Sequence, residues 1–207
     1  MENLFHFYQA EAEDKRIINN LAKAFQDNAR MRVLLGKQRD DFLKRITQVI
    51  SYSYFMVKKI GGLFISKDQN TYLLYYTKSQ LYFSIKDYFN YFFLAFRIVG
   101  LKRLRKVYLR EKKIKNTRQK EIKKQRDKDY LYVWFMAQKK EHQGVKGLME
   151  AKTFIFDQSL KHRLPIYLET TEKRLVPLYE KMGFKFYDIL KEEDTKLLMW
   201  FGRYAES

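Results

Sequence analysis

The sequence predicts a mixed α/β fold in a single domain spanning residues 1–207, on the strength of three observations. Apolar residues fall at helical spacing through the first sixty positions. Two short strand-like runs follow the Gly61-Gly62 pair. After Asp129 the chain reads strand, glycine turn, helix, strand, helix and strand. With 46% hydrophobic and 17% aromatic content, its 207 residues can bury a sizeable core and match the usual length of one domain.

Each element has its own signal. Ile17, Ile18, Leu21, Ala24 and Phe25 mark one helix, and Phe42, Ile46, Val49, Ser53 and Val57 mark one face of a second. Leu63 to Ser66 and Tyr72 to Tyr76 form a hairpin about the turn residues Asp68, Gln69 and Asn70. A third helical pattern runs from Leu81 to Val99. Asn90 and Arg97 interrupt it well short of the ~18 apolar residues a membrane span requires, so no transmembrane segment is expected. Residues 97–128 are expected to form a basic excursion, helical or partly disordered, that begins as helix with Leu101, Leu104 and Tyr108 at helical spacing and then loses its apolar face. Tyr130 to Ala137 is a continuous apolar strand, and Leu148, Ala151, Ile155 and Ser159 mark the inward face of the next helix. Ile166 to Thr170 is a strand. A short helix carrying Leu175, Leu178, Tyr179 and Met182 stops at Gly183, before two last strands at Phe184 to Tyr187 and Lys196 to Phe201.

Composition excludes some chemistry. The chain has no cysteine, which rules out disulfides, thiolate catalysis and thiolate metal sites. His6, His142 and His162 form no metal spacing, so no metal is expected. The start MENLFHFYQAEAED lacks the basic and apolar blocks of a signal peptide, and a cytoplasmic location is expected. A formal charge of +18, concentrated between Arg97 and Lys128, attracts anions.

Two segments carry a family likeness. YLYVWFMAQKKEHQGVKGLMEA (130–151) and PIYLETTEKRLVPLYEKMGF (165–184) resemble the cofactor strand, diphosphate loop, second strand and closing helix of the GNAT superfamily of N-acetyltransferases. The resemblance is firm from Tyr130 to Phe184, and LYEKMGF after YLET is its most specific part. It implies a GNAT-like mixed, mostly antiparallel sheet with a V-shaped split between two central parallel strands, flanked by helices. It also implies acetyl-CoA as co-substrate, and direct attack of a primary amine in a ternary complex, with a small molecule or a peptide supplying the amine.

Such a transfer needs an uncharged amine beside the thioester, donors for the oxyanion and a proton for the departing thiolate. The resemblance assigns the pantetheine arm and thioester to main-chain groups of Trp134, Phe135 and Met136. It assigns the general acid to Tyr179. Glu169, the only acid beside the expected split, is either the base, a binder of the cationic substrate or one half of a structural ion pair; alternation puts it on the sheet face opposite Leu168. Leu175 replaces an asparagine common in the family. The diphosphate loop is expected at Gln143, Gly144, Val145, Lys146, Gly147 and Leu148. Family loops place small residues where this chain has Lys146 and Leu148, because backbone N–H groups at a helix N-terminus must approach the phosphates closely. Either Lys146 offsets that loss by pairing with the diphosphate, or Leu148 fills the space.

The alternative expectation is a GNAT-fold binding protein without turnover, holding nucleic acid or another polyanion on its basic segment. A homodimer is left open.

Overall fold

The computed structural model describes residues 10–36, 41–81, 93, 95–142, 144–192 and 194–206. Three helices open it: α1 (Ala12–Ala24), α2 (Ala29–Leu35) and α3 (Phe42–Lys58). The hairpin β1 (Leu63–Ile65) and β2 (Thr71–Thr77) leads to the long helix α4 (Leu101–Gln125), and then come β3 (Leu131–Gln138), α5 (Val145–His162) and β4 (Ile166–Thr170). Helix α6 (Val176–Lys181) and strands β5 (Lys185–Lys191) and β6 (Leu198–Tyr204) complete the chain. Most of the expected helix from Leu81 to Val99 lies outside the described residues.

The six strands form one sheet in the order β1-β2-β3-β4-β6-β5, in which only β3 and β4 run parallel. Strand alternation divides the core into two faces. Tyr72 and Leu74 point toward α1 and α3, where they meet Ile17, Leu21, Ile46 and Ile50. Leu73 and Tyr75 point the other way, onto Ala151 and Ile155 of α5. Gly147 marks how tightly α5 sits on the hairpin. A Cβ at this residue would lie 2.1 Å from the Thr71 hydroxyl and 3.0 Å from its Cβ, so only glycine lets the first turn of α5 rest on β2.

Helix α1 is pinned to α3 by a buried carboxylate. Asp14, 3% exposed, accepts hydrogen bonds from the Tyr54 hydroxyl at 2.5 Å, the Lys58 ammonium at 2.6 Å and the Glu11 amide at 3.2 Å. Burial works to raise its pKa, but the hydrogen bonds from Lys58, Tyr54 and Glu11 outweigh it and hold the carboxyl below its usual value. A group depressed in this way stabilises the fold above its unfolded pKa and loses that contribution as pH falls through the folded value. Asp14→Asn is therefore expected to lose about 1.5–3 kcal/mol of stability at neutral pH. Urea unfolding should show the gap between parent and variant closing as pH drops below about 4; an equal gap at pH 7 and pH 3 would show that charge plays no part.

The basic stretch, expected as a helical or partly disordered excursion, is one unbroken helix over residues 101–125 laid across the sheet. Val107 joins the α1–α3 cluster, Ile114 packs on Met199 and Phe201, and Ile122 packs on Tyr130, Tyr132 and Tyr167. Each such burial contributes about 1.5–3 kcal/mol. Just past the helix end, Asp127 accepts from Arg203 at 2.9 and 3.0 Å and from the Tyr167 hydroxyl at 2.6 Å, which fastens the helix to β4 and β6.

Candidate active site

Strands β3 and β4 pair only at Leu131–Ile166, Tyr132–Tyr167 and Val133–Leu168, and beyond that point they part. The cause sits in β3. Leu74 pairs with Phe135 while Tyr75 pairs with Val133, so Trp134 is the extra residue of a bulge that bends β3 away from its parallel neighbour. From Trp134 to Gln138 the edge of β3 that faces β4 has no strand partner among the described residues, which leaves its main-chain groups for something other than sheet pairing.

A cleft of about 580 Å³ opens at this split. Met136, Ala137 and Gln138 of β3 form one wall, and Leu178 and Tyr179 of α6 face them. Gly144, Val145 and Leu148 also line it, as do Ala24 at the end of α1 and Phe25 and Asn28 just beyond. The volume falls within the range typical of small-molecule sites. Lys140 reaches over to Asp27 at 2.9 Å, so the turn after β3 is tied to the α1–α2 connection at the rim.

The expected diphosphate end is the start of an 18-residue helix, whose first amides have no partner within the helix. Gly144 is its N-cap, and a Cβ there would meet nothing within 4 Å, so the backbone is open to approach from the cleft. The Gln138 amide nitrogen donates to the Gly144 carbonyl at 2.6 Å and to the Thr71 hydroxyl at 3.1 Å, which fixes the turn against the hairpin. Val145 and Lys146 are exposed, whereas Leu148 lines the cleft and also faces a small apolar space between Met136 and Leu178. Leu148 is thus part of the cleft lining. Gln143 lies outside the described residues.

Tyr179 is 8% exposed and lines the cleft from α6. Just past α6 the chain turns at Gly183, whose φ of +95° suits glycine, and the Phe184 amide donates to the Tyr179 carbonyl at 3.0 Å. The Tyr179 ring packs edge-on against Phe184 at 5.7 Å between centroids. Nothing among the described residues hydrogen-bonds its hydroxyl, and burial pushes its pKa up to about 12. Leu175 lines the same cleft.

Glu169 occupies the other face of the sheet. Its side chain is 2% exposed and stands one residue beyond the last β3–β4 pair. The carboxylate accepts from Arg118 of α4 at 2.6 Å and from the Tyr132 hydroxyl at 2.5 Å, with Arg30 of α2 at 3.6 Å. The Arg118 guanidinium also lies over the Tyr132 ring, 4.3 Å from its centroid. Burial opposes the charge on Arg118, but Tyr132 and Glu169 outweigh that effect and raise its pKa. Arg30 is shifted the same way: burial opposes it, and Glu111 and Glu169 are among the groups that more than offset burial. Trp134 and Phe135 stack on one another on this face. There they border an apolar pocket of about 160 Å³ whose polar rim includes Arg30, Glu111 and Ser53.

The structure therefore gathers Met136, Gly144, Val145, Leu148 and Tyr179 around one cleft and sets Glu169 behind the split in an ion-paired cluster. Sequence reasoning gave no site role to Phe25, Asn28, Lys140 or Arg174, which also line the cleft. Among the described residues no group of three or more metal-ligating side chains occurs, and no helix is long and apolar enough to cross a membrane.

No protein-family model and no curated protein matches the sequence. Solved structures do. The chain is similar to a Corynebacterium glutamicum structure of a histone acetyltransferase HPA2 and related acetyltransferase, at a TM-score of 0.62 and 14% identity over 96% of this chain and 94% of that one. It is similar to the C-terminal condensation domain of Ebony in complex with beta-alanyl-dopamine, at a TM-score of 0.63 and 8% identity over 95% and 96%. A Drosophila melanogaster polyamine N-acetyltransferase matches at a TM-score of 0.56 and 9% identity over 93% and 96%. Such low identities speak for architecture alone, and together with the split sheet they show that the chain has the GNAT N-acetyltransferase fold.

Proposed function

We propose that the chain is an acetyl-CoA-dependent N-acetyltransferase acting on a primary amine by direct transfer. The observation that carries this reading is the cleft itself. An unpaired strand edge, a helix N-terminus and a buried phenol converge on one space of about 580 Å³. Two of the similar structures are of acetyltransferases, one of them a polyamine N-acetyltransferase, which supports the same class of reaction.

The residues present fit acetyl-CoA. The free edge from Trp134 to Met136 offers main-chain partners to the amides of the pantetheine arm, and the first amides of α5 offer donors to the diphosphate. Gly144 leaves room for that approach. The cofactor supplies a thioester carbonyl as electrophile and a thiolate as leaving group. The chain's own contributions are to orient the carbonyl, to hold donors near the oxyanion and to present the Tyr179 hydroxyl to the sulfur. The apolar pocket behind Trp134 and Phe135 would receive the body of the amine. The ammonium must lose a proton before attack, so the reaction should accelerate as pH rises toward the pKa of the amine.

Calorimetric titration with CoA and acetyl-CoA tests the reading. Micromolar binding is expected, weakened several-fold in Lys146→Ala if that ammonium compensates for the altered loop. No detectable binding at millimolar cofactor would remove the enzyme assignment.

A further inference from the structure

Helix α4 carries a charge pattern that acetyl transfer does not use. Residues 101–128 hold fourteen Lys or Arg against Glu111, Glu121 and Asp127, a net +11 of the chain's +18. Each of the three acids is engaged within the chain: Glu111 pairs with Arg30, Glu121 is buried, and Asp127 is held by Arg203. Outward, Arg105, Lys112, Lys113, Lys115, Lys120 and Lys123 are exposed, and none has an ion-pair partner among the described residues. The spacing adds repulsion within the helix, since Lys112 and Lys115 are three apart and Lys120 lies three and four from Lys123 and Lys124. Like charges so placed destabilise a helix by a few tenths of a kcal/mol each. An opposing anionic surface would relieve that cost.

The helix is also held rigid where it would have to present these charges. Arg118 anchors its middle to Glu169 and Asp127 anchors its end to β4 and β6. Twenty-five residues give a straight edge of about 37 Å, and rows such as Arg105 with Lys112, or Lys106 with Lys113 and Lys120, place cations about 10 Å apart along it. Three anionic partners have to be compared. An interfacial membrane helix needs exposed apolar side chains among its cations, but on α4 these stop at Leu109. A single strand needs aromatic platforms for its bases, and Tyr108 is the only exposed aromatic on the helix among the described residues. A duplex backbone needs neither.

We propose that the outward face of α4 is a sequence-independent docking surface for double-stranded nucleic acid, read through its phosphates. The binding does not depend on acetyl transfer, so it stands or falls apart from the activity proposed above. Fluorescence anisotropy of the full chain with a random duplex of about 30 base pairs, made as DNA and as RNA, tests it. Binding should persist at physiological salt and fall steeply between about 50 and 200 mM, with a log–log slope equivalent to several phosphates. Equal binding of DNA and RNA, or a preference for one, supports docking and identifies the source. The variant Lys112→Glu, Lys113→Glu, Lys120→Glu, Lys123→Glu should weaken binding by about a hundredfold or more with an unchanged circular dichroism spectrum. The milder pair Lys112→Ala, Lys113→Ala should lie between the two. An absence of duplex binding at physiological salt, equal binding by parent and charge-reversed chains, or binding to vesicles with about 30% anionic lipid but not to duplex would each overturn the proposal.

Discussion

Replacing Tyr179 by Phe is expected to lower kcat for amine acetylation by about 10²–10⁴-fold and to leave acetyl-CoA affinity nearly unchanged. The substitution deletes one oxygen and nothing else of consequence. The ring keeps its contact with Phe184, and no hydrogen bond among the described residues is lost, because the hydroxyl makes none. What disappears is the one phenol in the cleft that can meet the departing thiolate. Burial raises its pKa to about 12, so the hydroxyl stays protonated throughout the working range and is always available as a donor. An ordinary thiol titrates near 8.5, so full proton transfer to sulfur would be uphill. The hydroxyl would therefore stabilise the developing negative charge on sulfur by a strong hydrogen bond, while the thiolate leaves as the anion and the amine's proton goes to water. A corollary concerns pH: the parent chain should show no loss of kcat from Tyr179 up to about pH 11, only the rise that accompanies deprotonation of the amine. Steady-state kinetics with any acceptor amine, paired with cofactor titration, reads both effects. Full turnover in Tyr179→Phe would assign the ring to packing and place the acid elsewhere.

How much of this was legible in the sequence differs by element, for physical reasons. Strand β3 was readable as a continuous apolar run and β4 as an apolar start just after Pro165, and the structure places them at Leu131–Gln138 and Ile166–Thr170. The hairpin was readable from its turn. Helix α2 was missed, since seven residues offer few helical repeats; the available signal was Asn28, whose side chain accepts from the Met31 amide as an N-cap. The inward face of α4 was missed for a different reason. Its stripe consists of Val107, Ile114 and Ile122 with Arg118 and Glu121 between them, and two of these five residues are charged, so hydropathy gives them no periodic signal. The bulge at Trp134, which opens the split, follows from pairing with a strand some sixty residues earlier. In the site, Tyr179 and the loop at Gly144 carried local motifs, whereas Lys140 bridged to Asp27 and Arg118 bridged to Glu169 are contacts between distant segments that no local pattern encodes.

Arg118→Leu is expected to destabilise the fold by about 3–5 kcal/mol, because it leaves the Glu169 carboxylate buried with its best partner gone. Arg30 at 3.6 Å and the Tyr132 hydroxyl remain, but neither replaces a guanidinium at 2.6 Å. The loss should also loosen the middle of α4, since Arg118 covers the Tyr132 ring there. Removing both charges together, in Arg118→Leu with Glu169→Leu, should recover much of the stability, because desolvating an ion pair costs about as much as the pair returns. Urea unfolding of the two single variants and the double variant gives the coupling directly. If Arg118→Leu unfolds at the same denaturant concentration as the parent, the pair does not fix the helix. The isosteric Glu169→Gln then separates structure from catalysis. Its carboxamide keeps the shape but weakens both charged contacts, so a loss of stability with an unchanged pH–rate profile makes Glu169 the anchor of α4 at the apex of the split. A profile displaced toward higher pH would instead make it the group that accepts the amine's proton.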